Sequence, residues 1–359
     1  MNIGIAKPFI GQEEKQAVLD VLESGQLVQG AKVEAFEKAF AEYHGAAHGI
    51  ATTNGTTALM ASMMAHDIEP GDEIIIPAFS FFATASCILS VKAKPVFADI
   101  DPDTFCLSPE AAEAAITPNT VAIMPVHLYG HPADMHRFEE ICENHGLLLL
   151  EDAAQAHGAA INGRKVGTWV TASFSFYPSK NMTTGEGGMA LTNNDEIASK
   201  LRMIRNQGMN QQYKHEVVGY NFRMTNLMGA IGLAQLNRLD DWNDKRIVNA
   251  EHFDAHLTSV KTPTRRDGVT HVYHQYTVRV PDSVDRDRVV QHLNSKGIGA
   301  RVYYPKPIHQ QPIFQELGYV DAELPATDVA TQQVFSLPVH PALTEEEKNY
   351  IVNEVNNIC

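Results

Sequence analysis

Four short runs constrain this chain most: Glu73–Ile76, Pro95–Ala98, Val121–Val126 and Leu147–Leu150. Each is bounded by Gly, Pro or Asp, and each is continuously apolar in the main rather than alternating. Runs of that kind read as strands buried on both faces. Helical patterns lie between them. Ser108-Pro109-Glu110 is a helix start, with Ser as N-cap and Pro in the first position. Asp134 to His145 is another helix, ended by Gly146. Strand–helix–strand alternation implies an α/β fold with a mostly parallel central sheet flanked by helices. Ligands of such sheets gather at the carboxyl ends of the strands.

Upstream, Ala17, Val18, Val21 and Leu22 stand at helical spacing before Ser24-Gly25, and Val33, Phe36, Ala39, Phe40 and Tyr43 form a second apolar stripe. Both are core faces. Downstream, Tyr273–Val280 alternates loosely, Asp285–Lys296 is a helix stopped by Gly297, and Ala300–Tyr304 is a strand. Thr344-Glu345-Glu346-Glu347 is a capping box that opens the last helix. A boundary is expected near Asp240–Lys245, after an Asn226–Leu239 helix. It divides a large domain, 1–240, from a smaller C-terminal α/β domain, 241–359. A length of 359 residues agrees with two domains at about 150 residues each.

Lys and Arg number 28 against 43 Asp and Glu, a formal charge of −15. That balance argues against a nucleic-acid partner, which needs a basic face. It leaves room for small anionic ligands, because a local pocket can oppose the global sign. Cys87, Cys106, Cys142 and Cys359 include no Cys-x-x-Cys pair and are few for a disulfide-held chain, so reduced thiols and a cytoplasmic location are expected. Met1–Ile10 shows no signal-peptide pattern, and no apolar run approaches the roughly 20 residues that span a bilayer. No membrane partner is expected.

Familiar phosphate-loop and dinucleotide glycine motifs are absent. His252 and His256 are four apart but lack the adjacent Glu of a metalloprotease helix, and read as surface residues. His44 and His48 read as loop residues, and no metal is expected. Three places stand out. Leu148-Leu149-Leu150-Glu151-Asp152 closes a buried strand with two carboxylates. Lys180 follows the aromatic run Phe174-Ser175-Phe176-Tyr177 and precedes Gly185-Glu186-Gly187-Gly188. Asn54-Gly55-Thr56-Thr57-Ala58 lies between a strand and a helix, where N–H groups and hydroxyls hold a phosphate. Taken singly they are a helix cap, a solvated charge and another cap. Together, an imine-forming lysine, an aspartate for a pyridinium nitrogen and a phosphate-holding helix start describe a pyridoxal 5'-phosphate (PLP) site. Proximity to that cation should lower the aspartate's pKa, and desolvation beside other cations should keep the lysine neutral.

The sequence resembles the DegT/DnrJ/EryC1/StrS family of PLP-dependent sugar aminotransferases, of fold type I. Ordered matches run over nearly the whole chain. They include Asn54–Leu59, Pro70–Glu73, Pro125–Gly130, Glu151–Gln155, Ser175–Asn181, Gly185–Gly188, Asn221–Thr225, Tyr303–Pro305, His309 and Ser336–Pro338. The resemblance implies that Lys180 is the Schiff-base lysine and Asp152 the partner of the pyridine nitrogen. It places Gln155 on the ring's phenolic oxygen and Phe81, with Phe82 as the alternative register, on the cofactor face. Gly55, Thr56 and Ser175 would bind the phosphate. Asn221 would reach the phosphate of a neighbouring subunit, which implies a homodimer with shared active sites. A family branch that dehydrates its sugar carries histidine where this chain has Lys180, so transamination is expected. L-glutamate is the implied donor and a nucleotide-linked keto sugar the acceptor. Tyr304 and His309 lie in the substrate-facing stretch, and Arg223, Arg301 and Lys306 are candidate diphosphate contacts. The Asn221–Thr225 stretch and Tyr177-Pro178 are closest to enzymes aminating C4 of a 4-keto-6-deoxyhexose for polysaccharide synthesis. C3 amination of a 3-keto sugar or hexuronate, and a PLP-binding regulator without turnover, are the alternatives.

Overall fold

The structure is a computed structural model and describes residues 1–319 and 322–359. Seven strands form one sheet: β1 (His48–Thr52), β2 (Glu73–Pro77), β3 (Lys94–Ala98), β4 (Thr120–Ile123), β5 (Leu148–Asp152), β6 (Thr171–Ser175) and β7 (Gly188–Thr192). Their spatial order is β1-β7-β6-β5-β4-β2-β3. All neighbours are parallel except β7, which runs against both β1 and β6. The apolar runs are these central strands. Ile74, Ile75, Ile76, Ala122 and Ile123 are all fully buried, as strands covered on both faces require.

Helices α1 (Gln12–Ser24), α2 (Ala31–His44), α3 (Gly55–Ala65), α4 (Ala83–Ser90), α5 (Pro109–Ala114) and α6 (Met135–His145) fill the first half. The expected caps are present. Ser108 Oγ accepts from Ala111 N, Asp134 Oδ1 from Arg137 N, and Gly146 takes the left-handed conformation that ends α6. The α2 stripe packs as a cluster of aromatic edges. Phe40 meets Phe174 and Phe176 at 5.1 and 5.2 Å, and Phe36 meets Phe176 at 5.1 Å. Each such buried ring stabilises the fold by roughly 1.5–3 kcal/mol. That cluster lies directly under the chain leading to Lys180.

The second half carries α7 (Asp195–Arg205), α8 (Asn226–Leu236), α9 (Leu239–His256), α10 (Arg286–Ser295), α11 (Pro312–Glu316), α12 (Pro325–Gln333) and α13 (Glu345–Ile358). A two-stranded antiparallel sheet, β8 (Tyr276–Arg279) with β9 (Val334–Leu337), centres a separate core that includes Phe253, Leu293 and Val355.

Several expectations change in detail. Ala300–Tyr304 is not a strand: Arg301 alone bridges Ser336. Pro305 and Pro307 follow, lack N–H donors and restrict the residues before them, so the ladder ends at one step. Pro125 similarly stops β4 at Ile123. The Asn226–Leu239 helix breaks after Leu236, and α9 then runs unbroken through residues 240–245. His44 and His48 are not loop residues. His44 ends α2, buried, with Nδ1 on Phe40 O at 3.0 Å, and His48 opens β1.

Candidate active site

The carboxyl ends of β5 and β6, the start of α3 and the β6–β7 connection meet at one edge of the sheet. Asp152 is the last residue of β5 and 4% exposed. Thr84 Oγ1 donates to its Oδ2 at 2.8 Å, and Ala154 N donates to Oδ1 at 3.2 Å. Burial raises its pKa, opposed by those two donors and by Lys180 and His127. The lowering expected from the sequence belongs to the site with a pyridinium beside the carboxylate; in the chain alone desolvation outweighs the donors.

Its neighbour Glu151 faces the other way, as alternation along a strand demands. His127 and Glu151 are both fully buried, and Nε2 meets Oε2 at 2.9 Å. Ala133 N donates to His127 Nδ1 at 3.0 Å, so the ring's hydrogen is on Nε2 and His127 donates to Glu151. Gly167 N and Val170 N also donate to Glu151, at 2.8 and 3.3 Å. The carboxylate pair therefore divides: Glu151 pins the layers beneath the sheet, and Asp152 belongs to the site.

Lys180 sits on a connection that closes on itself. Thr183 Oγ1 and Thr184 N both donate to Phe176 O, at 2.8 and 3.0 Å, and Phe176 N donates to Gly187 O at 2.8 Å. Because β6 and β7 are antiparallel neighbours, this connection leaves and re-enters the sheet at the same edge. Desolvation pushes the Lys180 amine down to about 8, and Asp152 opposes the shift. No second cation contributes, so burial alone does what the sequence reading divided between burial and cationic neighbours.

Gly55 is the first residue of the 11-residue α3, capped by Asn54 Oδ1 accepting from Thr57 N at 2.9 Å. A Cβ at Gly55 would lie 2.7 Å from Ser175 Cβ, so the α3 start and the end of β6 touch only because no side chain intervenes. Thr56 follows on the same turn. Gln155 Oε1 accepts from Tyr129 N at 2.8 Å, and its Nε2 donates to Tyr304 Oη at 3.0 Å. Tyr129 has φ +58° and Gly130 φ +95°, and a Cβ at Gly130 would lie 2.8 Å from His274 N. This tight left-handed turn holds the Tyr129 ring against Tyr304.

Lys180, Asp152, Gln155, Gly55, Thr56 and Ser175 thus come from the elements that meet at this edge or the residues just after them, and Tyr304 joins them from the second half of the chain through Gln155. Phe81 precedes α4 and is 61% exposed, whereas Phe82 is engaged edge-on with Phe314 at 5.9 Å. Asn221 is exposed. Arg223 Nη1 donates to Asn206 Oδ1 at 2.8 Å. Arg301 and Lys306 are exposed, and His309 is buried against Phe97 of β3, ring centroids 5.7 Å apart. Thr84 was missed by sequence reasoning. Its signal was Ser80, four residues earlier on the same turn, whose hydroxyl meets Thr84 Oγ1 at 2.9 Å. Among the described residues no group of three His, Cys, Asp or Glu side chains is placed to hold a metal, and no helix is long and apolar enough to cross a membrane.

A buried acid facing an amine held near neutrality, beside a helix N-terminus opened by glycine, defines an α/β transferase site shaped for PLP. The comparisons agree in class. The chain belongs to the DegT/DnrJ/EryC1/StrS aminotransferase family, with the match covering residues 8–356. It is 44% identical over 350 residues to the pleiotropic regulatory protein of Geobacillus stearothermophilus, covering 95% of this chain and 93% of that one. It is 39% identical to the GDP-perosamine synthase of Caulobacter vibrioides, covering 99% and 98%. The solved structure of DesV from S. venezuelae superposes with a TM-score of 0.92 at 37% identity, covering 96% of this chain and 94% of that one. The family and its structural neighbours are PLP-dependent aminotransferases, and the α/β architecture expected from the sequence is theirs.

Proposed function

We propose that this protein moves an amino group from L-glutamate to a nucleotide-linked keto sugar, at C4 of a 4-keto-6-deoxyhexose, in the synthesis of amino sugars for polysaccharide. PLP is its cofactor, and it works as a cytoplasmic homodimer with shared active sites. The observation that carries this reading is Lys180, held near pKa 8 on a connection anchored at both ends, at the edge where Asp152 is buried. The C4 position is supported by the Asn221–Thr225 stretch and Tyr177-Pro178.

PLP bound there supplies an aldehyde and an electron-withdrawing ring. Lys180, neutral in part because burial lowers its pKa, would be the amine that bonds the aldehyde and, once freed, the base that holds and moves the proton at its own Nζ. Asp152 would pair with the ring nitrogen and favour its protonated form. Gln155 has one Nε2 hydrogen beyond the one given to Tyr304, and offers it to the phenolic oxygen. Gly55, Thr56 and Ser175 would hold the phosphate at the α3 N-terminus. Phe81, exposed and among the described residues without a ring contact of the kind Phe82 makes with Phe314, would cover the ring. Asn221 reaches the partner's site, Tyr304 and His309 face the sugar side, and Arg223, Arg301 and Lys306 meet the diphosphate.

Gly55→Ala should weaken PLP retention about tenfold or more, the equivalent of one displaced charge-assisted hydrogen bond. Absorbance titration of apo protein with PLP measures it, and wild-type retention in a folded variant would remove the phosphate from this cradle. The deciding experiment for function is a panel of 4-keto and 3-keto nucleotide sugars with different bases, read by mass, with glutamate as donor. Purified protein should be yellow, and glutamate should shift its absorption. Amination confined to 3-keto substrates overturns the C4 assignment. PLP binding without turnover on any sugar favours the regulatory reading, in keeping with the name of the Geobacillus relative. Failure to take up PLP overturns both.

A further inference from the structure

Helix α9 carries three buried polar side chains at three-residue spacing, Asn243, Arg246 and Asn249. Each is spent on a different stretch of chain. Asn249 Nδ2 donates to His340 O at 3.1 Å and to Val339 O at 3.4 Å, in the tail. Arg246 Nη1 donates to Tyr273 O at 3.1 Å and to His274 O at 3.4 Å. Asn243 differs, because both its partners lie on stretches that carry the site. Its Oδ1 accepts at 2.8 Å from Nδ2 of Asn181, the residue after Lys180. Its Nδ2 donates at 2.9 Å to His157 O, two residues past Gln155.

Neither amide can be turned round. Asn181 Nδ2 also donates to Val272 O at 2.9 Å, and carbonyls such as Val272 O and His157 O only accept. Each nitrogen therefore faces its carbonyl, and Asn243 Oδ1 is left for Asn181. The His157 end is a firm reference. Ala156 N donates to Ala153 O and Ala159 N to Ala156 O, both at 3.0 Å, so the stretch after Asp152 is a run of tight turns. A Cβ at Gly158, φ +82°, would lie 2.9 Å from Asn243 Nδ2, so α9 comes this close only over glycine. The Lys180 end is less firm. Among the described residues, Asn181 makes the only side-chain hydrogen bonds between Tyr177 and Met182. A cavity of about 230 Å³ borders this stretch, lined in part by Lys180, Asn181 and the first turns of α9. The connection has room to relax there once its tether is cut.

We propose that Asn243 is a positioning residue: acting through Asn181, it sets where Lys180 stands relative to the turn that follows Asp152 and carries Gln155. This role rests on the aminotransferase reading, which makes Lys180 the reacting amine. It also makes α9, a helix of the second half of the chain, part of the site's geometry. A desolvated amine is the state lost first when its connection relaxes, because water then reaches it.

The test reads Lys180 without cofactor. Apo protein is reductively methylated with formaldehyde over a pH series, and each lysine peptide is quantified by mass spectrometry. In wild type the Lys180 rate should break near pH 8. The titratable groups that act on the amine are Asp152, His157 and His274, and burial keeps both histidines neutral through this range. Lys7, Arg238, Asp241, Lys245 and Arg246 share the cavity. Asn243→Leu roughly keeps the volume and removes both bonds. Its break should rise by about one pH unit, toward the ordinary value near 10.4, and labelling at pH 7 should slow about tenfold. Asn249→Leu, further along α9, should lower the melting temperature alike and leave the break near 8. Asn181→Ala should reproduce Asn243→Leu, and the double variant should go no further, since both cut one bond. Asn181→Ala carries the test if Asn243→Leu does not fold. An unmoved break in folded Asn243→Leu, or in Asn181→Ala where it stands alone, overturns the proposal. So does an equal move in Asn249→Leu, a double variant that adds the two effects, or a wild-type break at the ordinary value. An Asn243-dependent break in protein that takes up no PLP keeps the positioning role and removes the cofactor reading. Amination by glutamate with a break indifferent to Asn243 keeps the enzyme and removes the positioning role.

Discussion

Lys180→Ala should give a protein that stays colourless with PLP, forms no borohydride-trappable link to it, and loses roughly 10⁴-fold or more of its amination rate. Loss of a positioned proton carrier alone costs about 10²–10⁴-fold, and here the nucleophile is lost with it. The fold should survive, because the connection is held by Thr183, Thr184 and Phe176 rather than by the amine. A pH series sharpens the test. With the amine held at about 8, roughly a tenth of it is neutral at pH 7. PLP uptake by apo protein should rise about tenfold per pH unit below 8 and flatten above it. An amine at its ordinary value near 10.4 would keep rising through pH 9. Stopped-flow absorbance separates the two curves, and a rise continuing past pH 9 would refute the desolvated amine.

Asp152→Asn should move activity and stability in opposite directions. Amination should fall roughly 10²–10⁴-fold, because a neutral amide cannot keep a ring nitrogen protonated. The apo protein, however, should melt no lower than wild type at pH 7. Burial raises the Asp152 pKa, so between the ordinary carboxylate value and that raised value the folded chain holds a proton the unfolded chain has released. Apo stability from this group is therefore present at low pH and declines as pH rises through that window. Asparagine removes the decline. It can still accept from Ala154 N, and Thr84 can accept from its amide because Ser80 shares that hydroxyl. Melting curves of both apo proteins from pH 4 to 8 read it out. A large loss of melting temperature in the variant at pH 7 would contradict a destabilising carboxylate, and such sites commonly exchange stability for function.

The sheet was legible because fully buried parallel strands write themselves as continuous apolar runs, and Ile74–Ile76 needs no partner sequence to be read. The site was legible where chemistry is local: Asp152 at a strand end, Lys180 between aromatics and glycines, and Gly55 at a helix start. What stayed hidden depends on distant pairing. Glu151 and Asp152 look alike in sequence, and only the opposing faces of β5 show that one clamps His127 while the other serves the site. Ala300–Tyr304 has strand composition, but prolines further on and the single available partner at Ser336 limit it to one bridge. Arg246 lies among ordinary helix charges, and nothing local marks it as buried.

Helix α9 begins at the wall of the Lys180 cavity and ends in the core around Phe253. At 1.5 Å per residue its 18 residues make a rod about 27 Å long. One end carries Trp242 and Arg246, and the other carries Ala250 and Phe253. A hinge at residues 240–245 would have to break consecutive turns of that rod, so the tail cannot swing without carrying the cavity wall along. A cut between Arg246 and Ala250 would accordingly sever that rod, whereas a cut at residue 240 falls in its first turn.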